Sequence, residues 1–278
     1  MEFTKMQGAG NDFIVIDNRD GSLSGEMLSR LAARLCTRRL SIGADGLMAV
    51  SPARHGGDFA MLFYNADGSL GEMCGNGARC ICRYGCEHGL AGDIQRVETT
   101  AGLVTGRRID RRTYQVRLND PSVLTLEHPV RYHGKDYAAS YVELGDPGLP
   151  HCVVRFDGWD ALETDELRKM GQTLRRDPAF PKGANVTFVK VLGPDALKAV
   201  TFERGVEDFT LACGTGCGAT VAALTLLGAV SGRDVKIAMP GGELAVTVTP
   251  EGGSARDILL TGPTNTVCSG EVLDEELG

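Results

Sequence analysis

Two short segments of the chain have the residue types for acid–base chemistry, Cys74-Gly75-Asn76-Gly77-Ala78 and Cys213-Gly214-Thr215-Gly216-Cys217, and they lie half a chain apart. Each falls where a strand-like stretch gives way to a helix-like one. A cysteine at a helix N-terminus gains a thiolate favoured by the helix dipole. The glycines beside it let a ligand approach the first N–H groups of the helix, which suit an anion. Two such turns suggest two thiols facing one anionic substrate. That arrangement can remove a proton from one face of a carbon and return one to the other.

The elements that must position these thiols are themselves repeated. Asn11-Asp12-Phe13-Ile14-Val15 precedes the first cysteine by about the same interval as His151-Cys152-Val153-Val154 precedes the second, and Gly43-Ala44-Asp45 is echoed by Gly183-Ala184-Asn185. Strand-like Phe59–Tyr64 ends at Asn65, and its counterpart Ala199–Phe202 ends at Glu203 and Arg204. Downstream, Val97–Gly102 is matched by Val235–Gly242, and Tyr114–Pro121 by Asp257–Pro263. Apolar spacing predicts helices over Glu26–Cys36 and about Asp165–Arg175, with longer ones over Gly75–Glu87 and Gly214–Leu227, the last apolar over most of its circumference and therefore buried. The expected fold is α+β, with two pseudo-symmetric domains, each a curved, barrel-like sheet around a central helix. Residues 1–119 with 264–278 would form the domain carrying Cys74, and 120–263 the one carrying Cys213. The site is expected in the cleft between them.

Polar groups sit at equivalent strand ends: Asn11 and Asn65 in one half, His151, Asn185, Glu203 and Arg204 in the other. A charged ligand would explain them. His151, which follows Pro150 and begins an apolar strand, equally suits a structural histidine, and Glu203-Arg204 equally suits a surface pair. Cys80 and Cys217, a turn or two into their helices, read as core. The run Cys80, Cys82, Cys86 with His88 matches no usual zinc framework and lies within a predicted helix, so no metal is expected. There is no G-x-x-x-x-G-K-[ST] phosphate loop, no G-x-G-x-x-G after a strand and no H-E-x-x-H helix. No lysine has a comparably distinctive setting, and no cofactor is expected.

A hydrophobic share of 42% with 23% charged residues suits a globular protein. The net charge of −7 offers no basic field to nucleic acid or an anionic membrane. No apolar run approaches the ~20 residues of a membrane span, and Met1–Lys5 lacks the order of a signal peptide. With nine cysteines and no export signal, a disulfide framework is not expected, and the cytoplasm is the expected location.

Met6-Gln7-Gly8-Ala9-Gly10-Asn11-Asp12-Phe13, Phe63-Tyr64-Asn65-Ala66-Asp67-Gly68-Ser69, Cys74–Cys80 and Glu203-Arg204-Gly205 up to Cys213-Gly214-Thr215-Gly216 resemble the diaminopimelate epimerases over nearly the whole chain. The resemblance implies the twin-domain fold, a pyridoxal-independent epimerase of lysine and cell-wall precursor synthesis, and a homodimer. It implies Cys74 and Cys213 as the acid–base pair, flanked by His151 and Glu203. Gly75, Asn76, Gly214 and Thr215, with Asn11, would hold the reacting amino-acid end. Asn65, Asn185, Glu203 and Arg204 would hold the distal one. Where the family commonly has Gly-Asn-Pro-His, this chain has Gly148-Leu149-Pro150-His151, and Leu149 has no side-chain hydrogen bond to give a distal carboxylate. Three other readings stand beside the leading one: racemisation of another amino acid such as histidine, a thiol redox protein cycling the two cysteines, and a non-catalytic amino-acid-binding protein.

Overall fold

The computed structural model describes residues 1–71 and 74–273; residues 274–278 of the expected first domain lie outside it. The chain forms two compact units, Met1–Val116 joined by the segment from Gly262 on, and Arg117–Thr261.

The first unit opens with a hairpin, β1 (Glu2–Gly8) and β2 (Asn11–Asp17), followed by helix α1 (Gly25–Leu35) and a second hairpin, β3 (Gly46–Ser51) and β4 (Phe59–Asn65). Helix α2 (Gly75–Glu87) then leads to β5 (Ile94–Thr99), β6 (Gly102–Arg108) and β7 (Thr113–Arg117). Strand β2 runs parallel to β3, and β4 parallel to β5, while the remaining neighbours are antiparallel.

The second unit repeats this order. After β8 (Pro121–Thr125) and a small hairpin of β9 (Val130–Tyr132) and β10 (Lys135–Tyr137) come β11 (Ala139–Leu144) and β12 (Leu149–Arg155), then helix α3 (Thr164–Arg175). Strands β13 (Asn185–Gly193), β14 (Ala196–Glu203) and the short β15 (Asp208–Thr210) lead to helix α4 (Gly214–Leu226), then to β16 (Val235–Met239), β17 (Gly242–Glu251) and β18 (Ser254–Pro263). Here β12 runs parallel to β13 and β14 parallel to β16, matching the first unit pair for pair. The last strand, β19 (Asn265–Glu271), pairs antiparallel with β1 just as β8 pairs with β11. The fold is thus α+β and internally duplicated.

The helices between the parallel strands form for a visible reason. In α1, Leu28, Leu31, Ala32 and Leu35 recur at helical spacing and pack on Ile14, Ile16, Leu47 and Ala49. Burying each leucine stabilises the unit by about 1.5–3 kcal/mol. Ser24 caps the helix by accepting from the Met27 N–H. In α3, Leu167, Met170 and Leu174 meet Val186, Phe188, Val200 and Phe202. Each connection then needs a left-handed residue to enter the parallel strand, and glycine supplies it at equivalent places, Gly43 with φ +74° and Gly183 with φ +65°.

The other two helices lie deep in their units. Residues Gly216–Leu224 of α4 are all buried, as its apolar sequence predicts. In α2 every residue from Gly75 to Gly85 is buried, although the sequence carries two arginines there. Arg79 is fully buried, its guanidinium donating to the Asn76 side chain and the Gly75 carbonyl, and Arg83 reaches Glu87 and the Thr264 carbonyl. Among the described residues no helix is long and apolar enough to cross a membrane.

Candidate active site

Cys74 and Cys213 hold the same local position, each the N-cap of its deep helix. Their backbones nearly coincide, at φ −111°, ψ 116° and φ −111°, ψ 104°. Each sulfur accepts from the N–H three residues on, Gly77 at 3.5 Å and Gly216 at 3.3 Å. A thiol in place of the usual cap oxygen leaves the first-turn N–H groups of the helix pointing outward beside the sulfur. At Gly216 the absence of a side chain is a packing requirement. A Cβ on Gly216 would sit 3.1 Å from the Thr187 hydroxyl and 3.2 Å from the Cys213 sulfur.

Around Cys74 the strand ends supply amide and carboxylate groups. The thiol lies 3.4 Å from the Asn11 side-chain oxygen at the start of β2. The Asn11 nitrogen donates to Asp45 at 2.6 Å. Asp45 also pairs with Arg38 at 2.9 Å, and Arg38 reaches Asp12, which pairs in turn with Lys5. Burial pulls the Asp12 carboxyl upward, but Arg38 and Lys5 together hold it below its ordinary value. Asn65 ends β4 at the register of Gly46, exposed, with its amide donating to Ser69 within its own turn. Asn76 is 2% exposed and its side-chain oxygen accepts from Arg79. The Asn76 side-chain oxygen is thus engaged within the helix, and its backbone N–H belongs to the first turn.

Around Cys213 the groups are ionic and hydroxylic. The Thr215 hydroxyl lies 3.6 Å from the sulfur. Burial, and next the charge of Glu203, push the Cys213 thiol well above its ordinary value, with Thr215 and the Gly216 N–H acting in the opposite direction. Glu203 accepts from the Thr210 hydroxyl at 2.6 Å. The Glu203 carboxylate, which flanks the thiol as the resemblance implies, thus opposes the thiolate. His151 is fully buried, and burial followed by the charge of Arg204 drives its pKa down to about 3. Among the described residues neither ring nitrogen has a hydrogen-bond partner, and a neutral imidazole is what the site holds at neutral pH.

Asn185 pairs with His151 across the parallel strands and is used at both ends of its amide, donating to the Pro150 carbonyl and accepting from the Arg204 N–H. It clamps the start of β12 to the end of β14. Arg204 is half-buried, with one guanidinium nitrogen on the Lys182 carbonyl. Leu149 begins β12 opposite Leu144 and is half-buried. Cys80, Cys82 and Cys217 are core residues, and burial pushes the first two thiols up to about 12. The residue that motif reading passed over is Asp45. Its signal was present in the match of Gly43-Ala44-Asp45 to Gly183-Ala184-Asn185.

A family model described as diaminopimelate epimerase matches residues 3–122 and 145–267. A diaminopimelate epimerase of Aquifex aeolicus is 36% identical over 286 residues, covering 100% of this chain and 99% of the relative. One from Carboxydothermus hydrogenoformans is 37% identical, covering 98% and 99%. Among solved structures, a phenazine biosynthesis protein of the PhzF family from Bacillus anthracis superposes with a TM-score of 0.75 at 14% identity, covering 98% of this chain and 99% of that one. A hydroxyproline epimerase from Agrobacterium vitis superposes with a TM-score of 0.69 at 20% identity, covering 100% and 93%. Those structures share the fold with this chain, and the full-length relatives share its sequence from end to end. The chain belongs to the diaminopimelate epimerase family of isomerases.

Proposed function

We propose that the chain converts LL-2,6-diaminopimelate to the meso form without a cofactor, using Cys74 and Cys213 as the acid and the base, in the synthesis of lysine and peptidoglycan precursors. The observation that carries this is the pair of cysteine N-caps with matching backbone angles and matching N–H contacts. One thiolate takes the α-proton, and the other thiol returns a proton to the opposite face. The roles exchange in the reverse direction.

The α-proton is far too weakly acidic for a thiolate in bulk water, so charge must be stabilised as it develops. In this reading the helix N-termini at Gly75-Asn76 and Gly214-Thr215 aim their N–H groups at the reacting carboxylate, and Asn11 assists. They are held in place before the reaction, which avoids the cost of reorganising solvent. Arg204 supplies the cation for the distal carboxylate, with Asn65 and Glu203 around the distal amino group. Asn185 serves this end through the strand clamp. Neutral His151 adds no charge of its own, so it leaves Cys213 free to alternate between thiol and thiolate. The reading carries with it the homodimer that the resemblance implies, which sedimentation would check, and the cytoplasmic location expected from the sequence.

The test is turnover in deuterium oxide over a small panel, diaminopimelate and single-headed amino acids including histidine. Deuterium should enter the diaminopimelate α-carbon, and Cys74→Ala or Cys213→Ala should abolish racemisation. Turnover near wild type in either variant would remove the two-thiol scheme. Exchange into histidine but not diaminopimelate would move the same chemistry to another substrate.

A further inference from the structure

We propose that Asp45 is a positioning residue, which ties down the Asn11 amide nitrogen so that the Asn11 oxygen faces Cys74 and favours that cysteine as the protonated thiol. The proposal rests on the two-thiol reading and adds to it what biases the protonation of one member.

The argument is one of donors and acceptors. An ionised carboxylate only accepts hydrogen bonds, so the end of the Asn11 amide lying 2.6 Å from Asp45 Oδ2 must be its nitrogen. The amide oxygen is then fixed toward sulfur at 3.4 Å. An amide oxygen accepts from S–H and is repelled by a thiolate, so this contact favours the thiol. It opposes the longer Gly77 N–H contact at 3.5 Å, which favours the thiolate. Asp45 is itself fixed on both oxygens. Arg38 holds Oδ1 at 2.9 Å, while Oδ2 also accepts from the Asp12 N–H at 3.1 Å. Arg38 bridges to Asp12 at 2.6 Å, and Lys5 pairs with Asp12 at 2.8 Å while donating to the Gly43 carbonyl. Through Asn11 the Cys74 thiol thus adjoins the charged cluster of Asp45, Asp12, Lys5 and Arg38 at the strand ends, while Arg79 and Cys80 share its helix. At Cys213, among the described residues, the side chain beside the sulfur is a threonine hydroxyl.

The measurement is the pH dependence of iodoacetamide alkylation at Cys74, followed by peptide mass spectrometry in a Cys213→Ala background. Asp45→Asn puts a second amide beside Asn11, so the Asn11 amide can turn its nitrogen to the sulfur. Alkylation at pH 7 should rise about tenfold, the scale of gaining a hydrogen bond to a charged group, while Asp45→Glu should stay near the parent. Asn11→Ala alone should also raise the rate several-fold, and adding Asp45→Asn to it should give no further rise. An equal rise with and without Asn11 would mean that only lost negative charge is being read, and would overturn the proposal. No rise in Asp45→Asn would do the same. If Asp45→Asn does not fold, Asn11→Ala decides, since it leaves the ion-pair cluster intact, and an unchanged rate there is refutation. No substrate enters this assay, so it can fail while deuterium exchange succeeds, and the reverse.

Discussion

Gly216→Ala tests the idea that the N-cap thiol is held by close packing beneath it. The added methyl would lie 3.1 Å from Thr187 Oγ1, 3.2 Å from Thr201 Oγ1 and 3.2 Å from the Cys213 sulfur. The two threonines are buried register partners whose hydroxyls bond each other at 3.0 Å, so neither can retreat without giving up that bond. Overpacking of this kind costs about 1–3 kcal/mol, and alanine's helix preference returns up to about 1 kcal/mol. The net expectation is a loss of about 1–2 kcal/mol, which lowers the melting temperature by roughly 2–8 °C. The sulfur is the neighbour with most freedom to move, and a shift of a few tenths of an ångström should lower kcat by about tenfold. Gly77→Ala is the internal control. Its nearest neighbour is the Met48 sulfur at 3.2 Å, with Phe13 and Cys74 at 3.5 and 3.6 Å. A methionine side chain gives way, so stability should change by no more than about 0.5 kcal/mol. Thermal melts and α-deuterium incorporation read both variants. Equal effects at the two glycines, or a fully stable and active Gly216→Ala, would refute the packing argument.

His151→Leu should flatten the acid limb of stability. The unfolded chain takes up a proton below about pH 6.5 that the folded chain refuses until about pH 3, so stability is unaffected above that window and falls as pH drops through it. Urea unfolding at pH 7 and pH 5 should show the parent losing about 2 kcal/mol more than the variant; equal losses would mean that the imidazole titrates normally. Glu203→Gln removes the charge that, after burial, most opposes the Cys213 thiolate. Alkylation of Cys213 at pH 7 should rise in a Cys74→Ala background, and an unchanged rate would dismiss Glu203 as a determinant. Ser24→Ala removes the cap of α1 and should cost about 1 kcal/mol in denaturant unfolding; no change in midpoint would show that water replaces the hydroxyl at no loss.

Much of this architecture was legible because it was written twice. The Cys-Gly turns, the four helices to within a residue or so, and the polar strand ends all follow from patterns that recur half a chain apart. What stayed hidden depends on where a polar side chain turns once the strands are in register. Asn185 and Asn65 read as groups that hold substrate, and what the pattern did not show is the partners they already have, two strands joined by the first and its own turn closed by the second. Nothing in the pattern showed that two arginines of α2 would be buried, where the first caps the helix start from inside and the second answers a carbonyl of the segment preceding β19. Asp45 passed as a repeat marker because only the folded strand ends bring it to Asn11.

The pairing of β19 with β1, mirrored by β8 with β11, sets an order of assembly. Each unit is closed by a strand that follows the last strand of the other, since β8 comes after β7 and β19 after β18. On the ribosome, every strand of the second unit has been made before β19 emerges. The half synthesised first is therefore the half completed last, and until β19 arrives β1 presents an open edge to any chain nearby. A released chain that ended at Pro263 would hold every strand of the second unit and lack the one that closes the first, the reverse of the N-to-C order in which domains usually mature.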